Sequence, residues 1–228
     1  MDTEAFTGRA SAYTKARPSY PAEAVEYIYN LAPADAVLAD IGAGTGKFTE
    51  LIAKYGNVIY AVEPNADMRG QLAITVAKYP NVKISDGTAE ATKLPDKCAD
   101  MITCAQALNK FDLEMFLVEC RRISVSDPFV VSLYNYTPEK TKNASLYDKS
   151  TGFIYKNPDV REFPNTVYFT RDNWLLYHLS MSGVPMEKDA GHEEYFAEII
   201  KEFDRDNMNG LLRHDLITKV YSGRIQTR

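Results

Sequence analysis

Three glycines and one acidic residue form the pattern with the clearest chemical meaning in this 228-residue sequence. Asp40 is followed by Gly42, Gly44 and Gly46, which gives the spacing G-x-G-x-G. Glycines at this spacing let the backbone pass close to a ligand, where a side chain would collide with it. The pattern therefore predicts a loop that binds a small molecule through its backbone.

Two other glycine patterns compete with this interpretation. A phosphate-binding loop, G-x-x-x-x-G-K-[ST], would need glycine at position 41 and a hydroxyl residue at position 48, where the chain has Ile41 and Phe48. A dinucleotide-binding loop, G-x-G-x-x-G, would need its third glycine at position 47, which is Lys47. An NAD(P)-dependent oxidoreductase nevertheless stays open as an alternative, because it would share the fold and the acidic residue described next.

A second acidic residue follows the loop at a distance typical of nucleoside binding. Glu63 ends the next apolar run, about twenty residues after Gly42. A carboxylate at that place can accept hydrogen bonds from both hydroxyls of a ribose. Several nucleoside cofactors, NAD among them, contain this diol. Glu63 alone therefore does not indicate which of them binds.

Alternating strands and helices are predicted to position these residues. Short apolar runs predict five strands, at 36–41, 58–62, 82–85, 100–105 and 129–134. Apolar residues at helical spacing predict helices after the first, second and fourth of these. This alternation implies a mostly parallel sheet with helices on both faces, and such sheets bind ligands beyond the carboxyl ends of their strands. The glycine loop and Glu63 are therefore expected at one edge of the sheet.

The rest of the chain is expected to complete a single domain, 1–228. Residues 1–35 precede the core and include a leading helix that begins at Pro21. Residues 36–134 form the predicted core. Residues 135–228 should form a cap and closing strands, with mainly loop and short helix up to 164. Later segments predict a strand at 166–170, a helix over 195–203 and a closing strand at 216–222.

Composition and charge argue against several classes of partner. The formal net charge is -5, and an acidic surface disfavours nucleic acid and anionic membranes. No apolar run approaches a membrane span, and the first residues lack the core of a signal peptide, so we expect a cytoplasmic protein. The histidine, cysteine and carboxylate residues lack metal-ligand spacing, and we predict no metal. We expect a monomer or a homodimer with a small-molecule partner.

Several segments together resemble one family. They are "FTGRASAYTKARPSYPAEAV", "SDGTAEATKLPDKCAD", "CAQALNKFD", "SMSGVPMEKD" and "LLRHDLITKVYSGRI". The chain resembles, over nearly its whole length, the methyltransferase type 11 family of class I S-adenosylmethionine-dependent methyltransferases, especially a branch similar to trans-aconitate methyltransferases. The resemblance implies an α/β, Rossmann-like doubly wound sheet, mostly parallel with an antiparallel last strand, an N-terminal lid and a C-terminal helical insertion. It also implies methyl transfer from S-adenosyl-L-methionine to a small molecule by in-line displacement.

The resemblance further implies roles for individual residues. The implied cofactor-binding residues are Tyr13, Arg17, Asp40, Gly42, Ala43, Gly44, Glu63, Pro64, Met68, Thr88, Ala89, Glu90, Gln106 and Ala107. The glycine loop would face the methionine part of the cofactor, and the residues after the second and third strands would meet ribose and adenine. Gln106 and Ala107 would lie beneath the methyl group. Tyr13 and Arg17 would come from the lid and meet the cofactor carboxylate or cover the site.

The chain departs from the family pattern beside the predicted acceptor. Where the family has His-Trp, this chain has Asn109 and Lys110. A histidine there could orient a substrate or take a proton, whereas asparagine can only form hydrogen bonds. The other acceptor-side candidates are Tyr134, Trp174 and His178, and the last two share a predicted helical face. Because Asn109 and Lys110 stand where the family has His-Trp, a non-catalytic protein that binds S-adenosylmethionine is a second alternative.

Overall fold

A computed structural model describes residues 4–138 and 141–226 of the chain, with the side chains of all of these except 141–146. In these residues seven strands form one sheet in the order β3-β2-β1-β4-β5-β7-β6. The strands are β1 (Leu38–Ile41), β2 (Ile59–Val62), β3 (Val82–Ser85), β4 (Met101–Ala105), β5 (Phe129–Tyr136), β6 (Asp159–Phe169) and β7 (Leu212–Arg224).

Strand direction confirms the predicted fold class. The strands β1 to β5 pair in parallel, whereas β7 runs antiparallel to both β5 and β6. All four residues of β1 are buried, because a parallel strand in the middle of such a sheet is covered on both faces. The five predicted strands of the core are all present, and β3 agrees with its prediction residue for residue.

Helices cover both faces of the sheet. They are α1 (Ala10–Ala16), α2 (Ala22–Tyr29), α3 (Lys47–Ala53), α4 (Ala66–Thr75), α5 (Leu113–Ile123), α6 (Thr141–Ile154), α7 (Arg171–Leu179) and α8 (His192–Asp206). The core between α2, α3 and the sheet includes Ile28 and Ile52, both fully buried. The opposite core includes Phe116 of α5 and Tyr155. Burial of each such side chain contributes about 1.5–3 kcal/mol to stability.

The segment from 134 to 164, predicted to be mainly loop and short helix, contains regular structure instead. The helix α6 spans fourteen residues, and β6 begins at Asp159. Most side chains of β6 face solvent, because this edge strand pairs only with β7. Its sequence therefore lacks the apolar run that marks the buried strands, and it includes Pro164, which edge strands tolerate.

The two segments predicted to cover the sheet take definite shapes. The leading helix is present as α2, and α1 precedes it. Between β6 and β7 the chain forms α7 and α8, which contain the predicted helix at 195–203 and match the predicted helical insertion. Within the described ranges, every helix is too short or too polar to cross a bilayer.

Candidate functional site

A cavity of about 540 Å³ lies at the carboxyl edge of the parallel strands. Its walls come from the glycine loop after β1, the turn after β4, the end of β5, α1 and α7. Nine of the predicted site residues line it: Tyr13, Arg17, Gly42, Ala43, Gly44, Gln106, Asn109, Trp174 and His178. The other nine lie outside this lining: Asp40, Glu63, Pro64, Met68, Thr88, Ala89, Glu90, Ala107 and Tyr134.

The glycine loop needs its glycines for two structural reasons. Gly42, Gly44 and Gly46 all have positive φ angles, of 73°, 59° and 85°, which side chains disfavour. A Cβ atom on Gly42 would lie only 2.7 Å from the Cβ atom of Ala107. The backbone N–H of Gly44 donates to Glu63 Oε2 at 2.9 Å, which ties the loop to the end of β2. The loop is thus a backbone cradle of fixed shape.

Asp40 supports this loop from behind. Its carboxylate is fully buried and accepts hydrogen bonds from the hydroxyls of Thr49 on α3, at 2.6 Å, and Thr103 on β4, at 3.0 Å. Burial raises its pKa to about 6, although both hydroxyls oppose the rise. The side chain of Asp40 thus joins β1 to α3 and β4 inside the protein, and its contact with a cofactor stays a prediction.

Glu63 lies beside the loop but is covered from solvent. Besides the Gly44 N–H, it accepts the backbone N–H of Asn65 at Oε1, at 2.9 Å. Burial raises the pKa of Glu63, and these two hydrogen bonds oppose the rise. Since each carboxylate oxygen has two lone pairs, the side chain can accept further hydrogen bonds.

Residues 6–8 cover the Glu63 end of the site. Asn65 Nδ2 donates to the hydroxyl of Thr7 at 2.9 Å, and the N–H of Gly8 donates to Asp67 Oδ2 at 2.8 Å. The ring of Phe6 lies 4.0 Å from the ammonium of Lys110. Glu63 lies outside the cavity lining at this end. The predicted adenine-side residues near it also lie outside the lining.

The predicted adenine-side residues pack around this closed end. Met68 is buried, and its methyl group would contact a Cβ atom on Gly44 at 3.7 Å. Ala89 is also buried, while Glu90 accepts the backbone N–H of Asp112 at the start of α5, at 2.9 Å. Thr88 pairs its backbone with Ala91 in a tight turn. The ligand contacts of these residues stay predictions.

Tyr134 does not reach the cavity, which corrects its place among the acceptor-side candidates. Its ring is buried against α6, stacked on Tyr147 at 4.0 Å between centroids. The end of β5 lines the cavity with Asn135 and Tyr136 instead, and α6 adds Tyr147. The hydroxyl of Tyr147 donates to Gln106 Oε1 at 3.0 Å.

Gln106 holds a strained backbone position at the end of β4. Its φ angle is +59°, which is rare for a residue other than glycine and costs roughly 1–3 kcal/mol. The hydrogen bond from its N–H to the carbonyl of Leu133, at 2.8 Å, maintains this conformation. Strain of this kind concentrates at functional sites, where it fixes a side chain toward a ligand.

Three basic side chains give the cavity a positive character. Arg17, Lys47 and Lys110 line it, and no carboxylate does so among the side chains that the structure describes. Arg17 Nε donates to the hydroxyl of Ser180 at 2.8 Å, and its guanidinium lies over the rings of Tyr13 and Tyr177. Burial, with a smaller contribution from the Arg17 charge, lowers the pKa of Lys110 to about 8, and Glu63 opposes the fall. Burial also lowers the pKa of Lys47.

Aromatic rings form the wall opposite the glycine loop. The ring of Trp174 lies 4.6 Å from that of His178, 5.6 Å from Tyr177 and 5.5 Å from His214. His178 Nδ1 and the hydroxyl of Tyr195 form a hydrogen bond of 2.8 Å. Three buried polar atoms of lining residues lack a hydrogen-bond partner in the described part of the chain: Thr45 Oγ1, Asn109 Oδ1 and Trp174 Nε1.

Sequence reasoning missed several lining residues: Phe6, Lys47, Tyr147, Tyr195 and His214. The high aromatic content, with fifteen tyrosines, is the signal that could have indicated an aromatic wall. Lys47 follows the glycine loop directly and could have been found from that position. Within the described residues, no group of three histidine, cysteine or carboxylate side chains is arranged to hold a metal ion.

Comparisons with known proteins connect this site to one family. Residues 39–130 match the family model described as a methyltransferase domain. An uncharacterized methyltransferase-like protein of Schizosaccharomyces pombe is 33% identical over 126 residues, which are 54% of this chain and 48% of that protein. An uncharacterized methyltransferase of the same organism is 24% identical, with 92% of each chain covered. The chain spans a little under half the length of the curated relatives that it matches above 30% identity.

A solved structure shows the same fold over almost the whole chain. It is an S-adenosylmethionine-dependent methyltransferase of Geobacter sulfurreducens in complex with S-adenosyl-L-homocysteine. The two chains are 16% identical and superpose with a TM-score of 0.56, with 99% of this chain and 98% of the other covered. At this identity the likeness concerns the fold alone.

Proposed function

We propose that this chain, a member of the methyltransferase family, transfers a methyl group from S-adenosylmethionine to a small-molecule acceptor. The observation that carries the proposal is the hydrogen bond between the Gly44 N–H and Glu63, which joins the glycine cradle to a carboxylate at the next strand end. A cradle beside a carboxylate suits a ligand that joins a nucleoside to a group without phosphate, so that no full anion-binding loop is needed. The cavity then extends from the cradle to the aromatic wall, which leaves room for an acceptor.

The chemistry of the lining fits the methionine part of this cofactor. Arg17 is suited to a carboxylate, because its planar guanidinium offers several N–H donors. Thr45 Oγ1 is buried at the cradle and has no hydrogen-bond partner among the described residues, so a ligand can supply one. Glu63 retains lone pairs for ribose hydroxyls. Residues 7 and 8 form hydrogen bonds with Asn65 and Asp67, shortly after Glu63, and we expect them to shift when the nucleoside part binds.

Binding and alignment supply most of the catalysis in this proposal. S-adenosylmethionine supplies an activated sulfonium methyl group, which an electron-rich atom of the acceptor can displace in line. The cradle and Arg17 hold the cofactor, while Gln106 and the aromatic wall orient the acceptor. Holding two reactants close together in the right orientation can supply a large part of the reduction in the activation barrier. A base is needed only for an acceptor atom that must lose a proton.

Calorimetric titration with S-adenosylhomocysteine tests the proposal, with NADH and ATP in parallel. We expect saturable binding of S-adenosylhomocysteine alone. The variant Glu63→Ala should weaken it, while the matched control Glu26→Ala, an exposed position on α2, should bind like the natural protein. Binding of NADH in its place would favour an oxidoreductase, and absence of any binding would overturn the proposal.

A further inference from the structure

The lining of the cavity has an unusual composition, to which α7 and α8 contribute Trp174, Tyr177 and Tyr195. Nine of the 27 lining residues are phenylalanine, tyrosine or tryptophan, whereas these types make up 11% of the whole chain. Aromatic side chains attract flat rings, because offset and edge-to-face contacts of their π-systems are favourable. The lining is therefore suited to a planar ligand more than to a flexible aliphatic one.

Trp174 adds a directed hydrogen bond to this wall. It is only 2% exposed, and it lines the cavity from α7. Its indole N–H can only donate, and it has no partner among the described residues. A buried donor without a partner costs stability, so a ligand that offers an acceptor atom there gains affinity.

The charges of the lining indicate what that acceptor atom is. Arg17, Lys47 and Lys110 line the cavity, and within the described side chains no carboxylate lines it, although Glu63 acts on Lys110 from outside the lining. Beside these charges, an acceptor with an electron-rich oxygen is favoured over an acceptor amine that carries a positive charge. Arg17 is held by Ser180 and by the rings of Tyr13 and Tyr177, so its charge is fixed beside the wall.

We propose that the methyl acceptor is an oxygen-bearing aromatic molecule of the phenol class, whose ring packs on the Trp174–Tyr177 wall and whose oxygen accepts a hydrogen bond from Trp174 Nε1. This inference rests on the proposed function, since it names the acceptor class of the same site. His178 and Tyr195 hold the wall in place through their 2.8 Å hydrogen bond.

The chain provides its own reporter for a binding test, because Trp174 is its one tryptophan. Four probes are titrated in the presence of S-adenosylhomocysteine while indole emission is followed: catechol, its saturated counterpart cyclohexane-1,2-diol, toluene and citrate. Catechol should change the emission saturably and bind roughly tenfold or more tightly than the saturated diol. Tighter binding of citrate than of catechol would overturn the proposal in favour of an aliphatic acid.

Variants test the hydrogen bond itself by calorimetry. Trp174→Phe should weaken the binding of catechol about tenfold, since one hydrogen bond is lost. It should change the affinity for toluene by no more than about twofold. The control Tyr168→Phe, at an exposed aromatic of β6, should change neither affinity. If Trp174→Phe does not fold, Tyr177→Leu tests the ring contact, and catechol should again bind more weakly. An unchanged catechol affinity in a folded variant would refute the proposal.

The failure of this inference is distinguishable from failure of the proposed function. If S-adenosylhomocysteine binds and catechol does not, the acceptor class is wrong and the methyltransferase function stands. If S-adenosylhomocysteine does not bind, the function is wrong, and the catechol titration of the free protein reports on the aromatic wall alone.

Discussion

Replacement of Asp40 by asparagine should stabilise the protein. Asp40 is fully buried behind the glycine loop, where the hydroxyls of Thr49 and Thr103 donate to its two oxygens. Asparagine has nearly the same shape, and its amide can accept one of these hydrogen bonds and donate in the other. The substitution therefore removes a buried negative charge while it retains the packing and the pairing of the site.

The size of the effect follows from the pKa of Asp40. Burial, with a smaller contribution from Glu63, raises it from 3.8 to about 6. A carboxyl whose pKa is higher in the folded than in the unfolded chain lowers the unfolding free energy as pH rises through this range. The loss reaches about 3 kcal/mol at pH 7 and about half of that at pH 5. Asp40→Asn should recover most of this unfolding free energy at pH 7, and little of it below pH 4.

Urea unfolding of the natural protein and the variant at pH 7 and pH 5 measures this difference. The slopes of unfolding free energy against urea should agree, so that the midpoints report stability. Asp35→Asn, at an exposed position, is the control and should be neutral. If Asp40→Asn is destabilised equally at both pH values, the hydroxyls stabilise the charge and the burial argument is refuted. The affinity for S-adenosylhomocysteine should change only a few-fold, since the carboxylate lies behind the loop.

Three further predictions concern the two ends of the cavity. Glu63→Ala should weaken S-adenosylhomocysteine roughly tenfold or more in calorimetry, because the ribose hydroxyls and the Gly44 N–H lose their acceptor. Asn109→His should leave that affinity within about twofold, since position 109 is predicted to lie on the acceptor side. Phe6→Ala should speed the association of S-adenosylhomocysteine in stopped-flow experiments, because the Phe6 ring packs on Lys110 over the covered end.

Each of these has an outcome that contradicts it. An unchanged affinity of Glu63→Ala would mean that the ribose lies elsewhere. A large loss of affinity in Asn109→His would move that residue to the cofactor side of the cavity. An unchanged association rate in Phe6→Ala, with the fold retained, would mean that residues 6–8 do not limit access to Glu63.

The buried strands could be predicted from the sequence, whereas the edge of the sheet could not. The strand β3 follows directly from a short apolar run, and its bounds agree with the prediction. The strand β6 has charged residues at 159, 161 and 162 and a proline at 164, because most of its side chains face water. Its pairing with β7 is a contact between distant parts of the chain, and no local pattern encodes it.

The same division applies to the site. The glycine spacing predicts the loop, since the backbone angles that require glycine are a local property. The spacing did not show where along β5 the cavity begins, because this depends on how α6 packs against the strand. Tyr134 is stacked on Tyr147 of α6, whereas Asn135 and Tyr136 line the cavity. The cover formed by Phe6 on Lys110 depends on contacts across a hundred residues and had no sequence signal.

The helical insertion joins the sheet at a single point. Phe169, the last residue of β6, is the register partner of Leu212, the first residue of β7. Both belong to a small apolar cluster with three residues of the inserted helices: Trp174, Ile199 and Phe203. The insertion thus has a packing centre of its own and ends that meet like those of a hairpin. On the proposed function, changes inside this module alter the acceptor wall, while the contacts of Ser180 and Tyr177 with Arg17 constrain the module where it meets the cofactor-binding half.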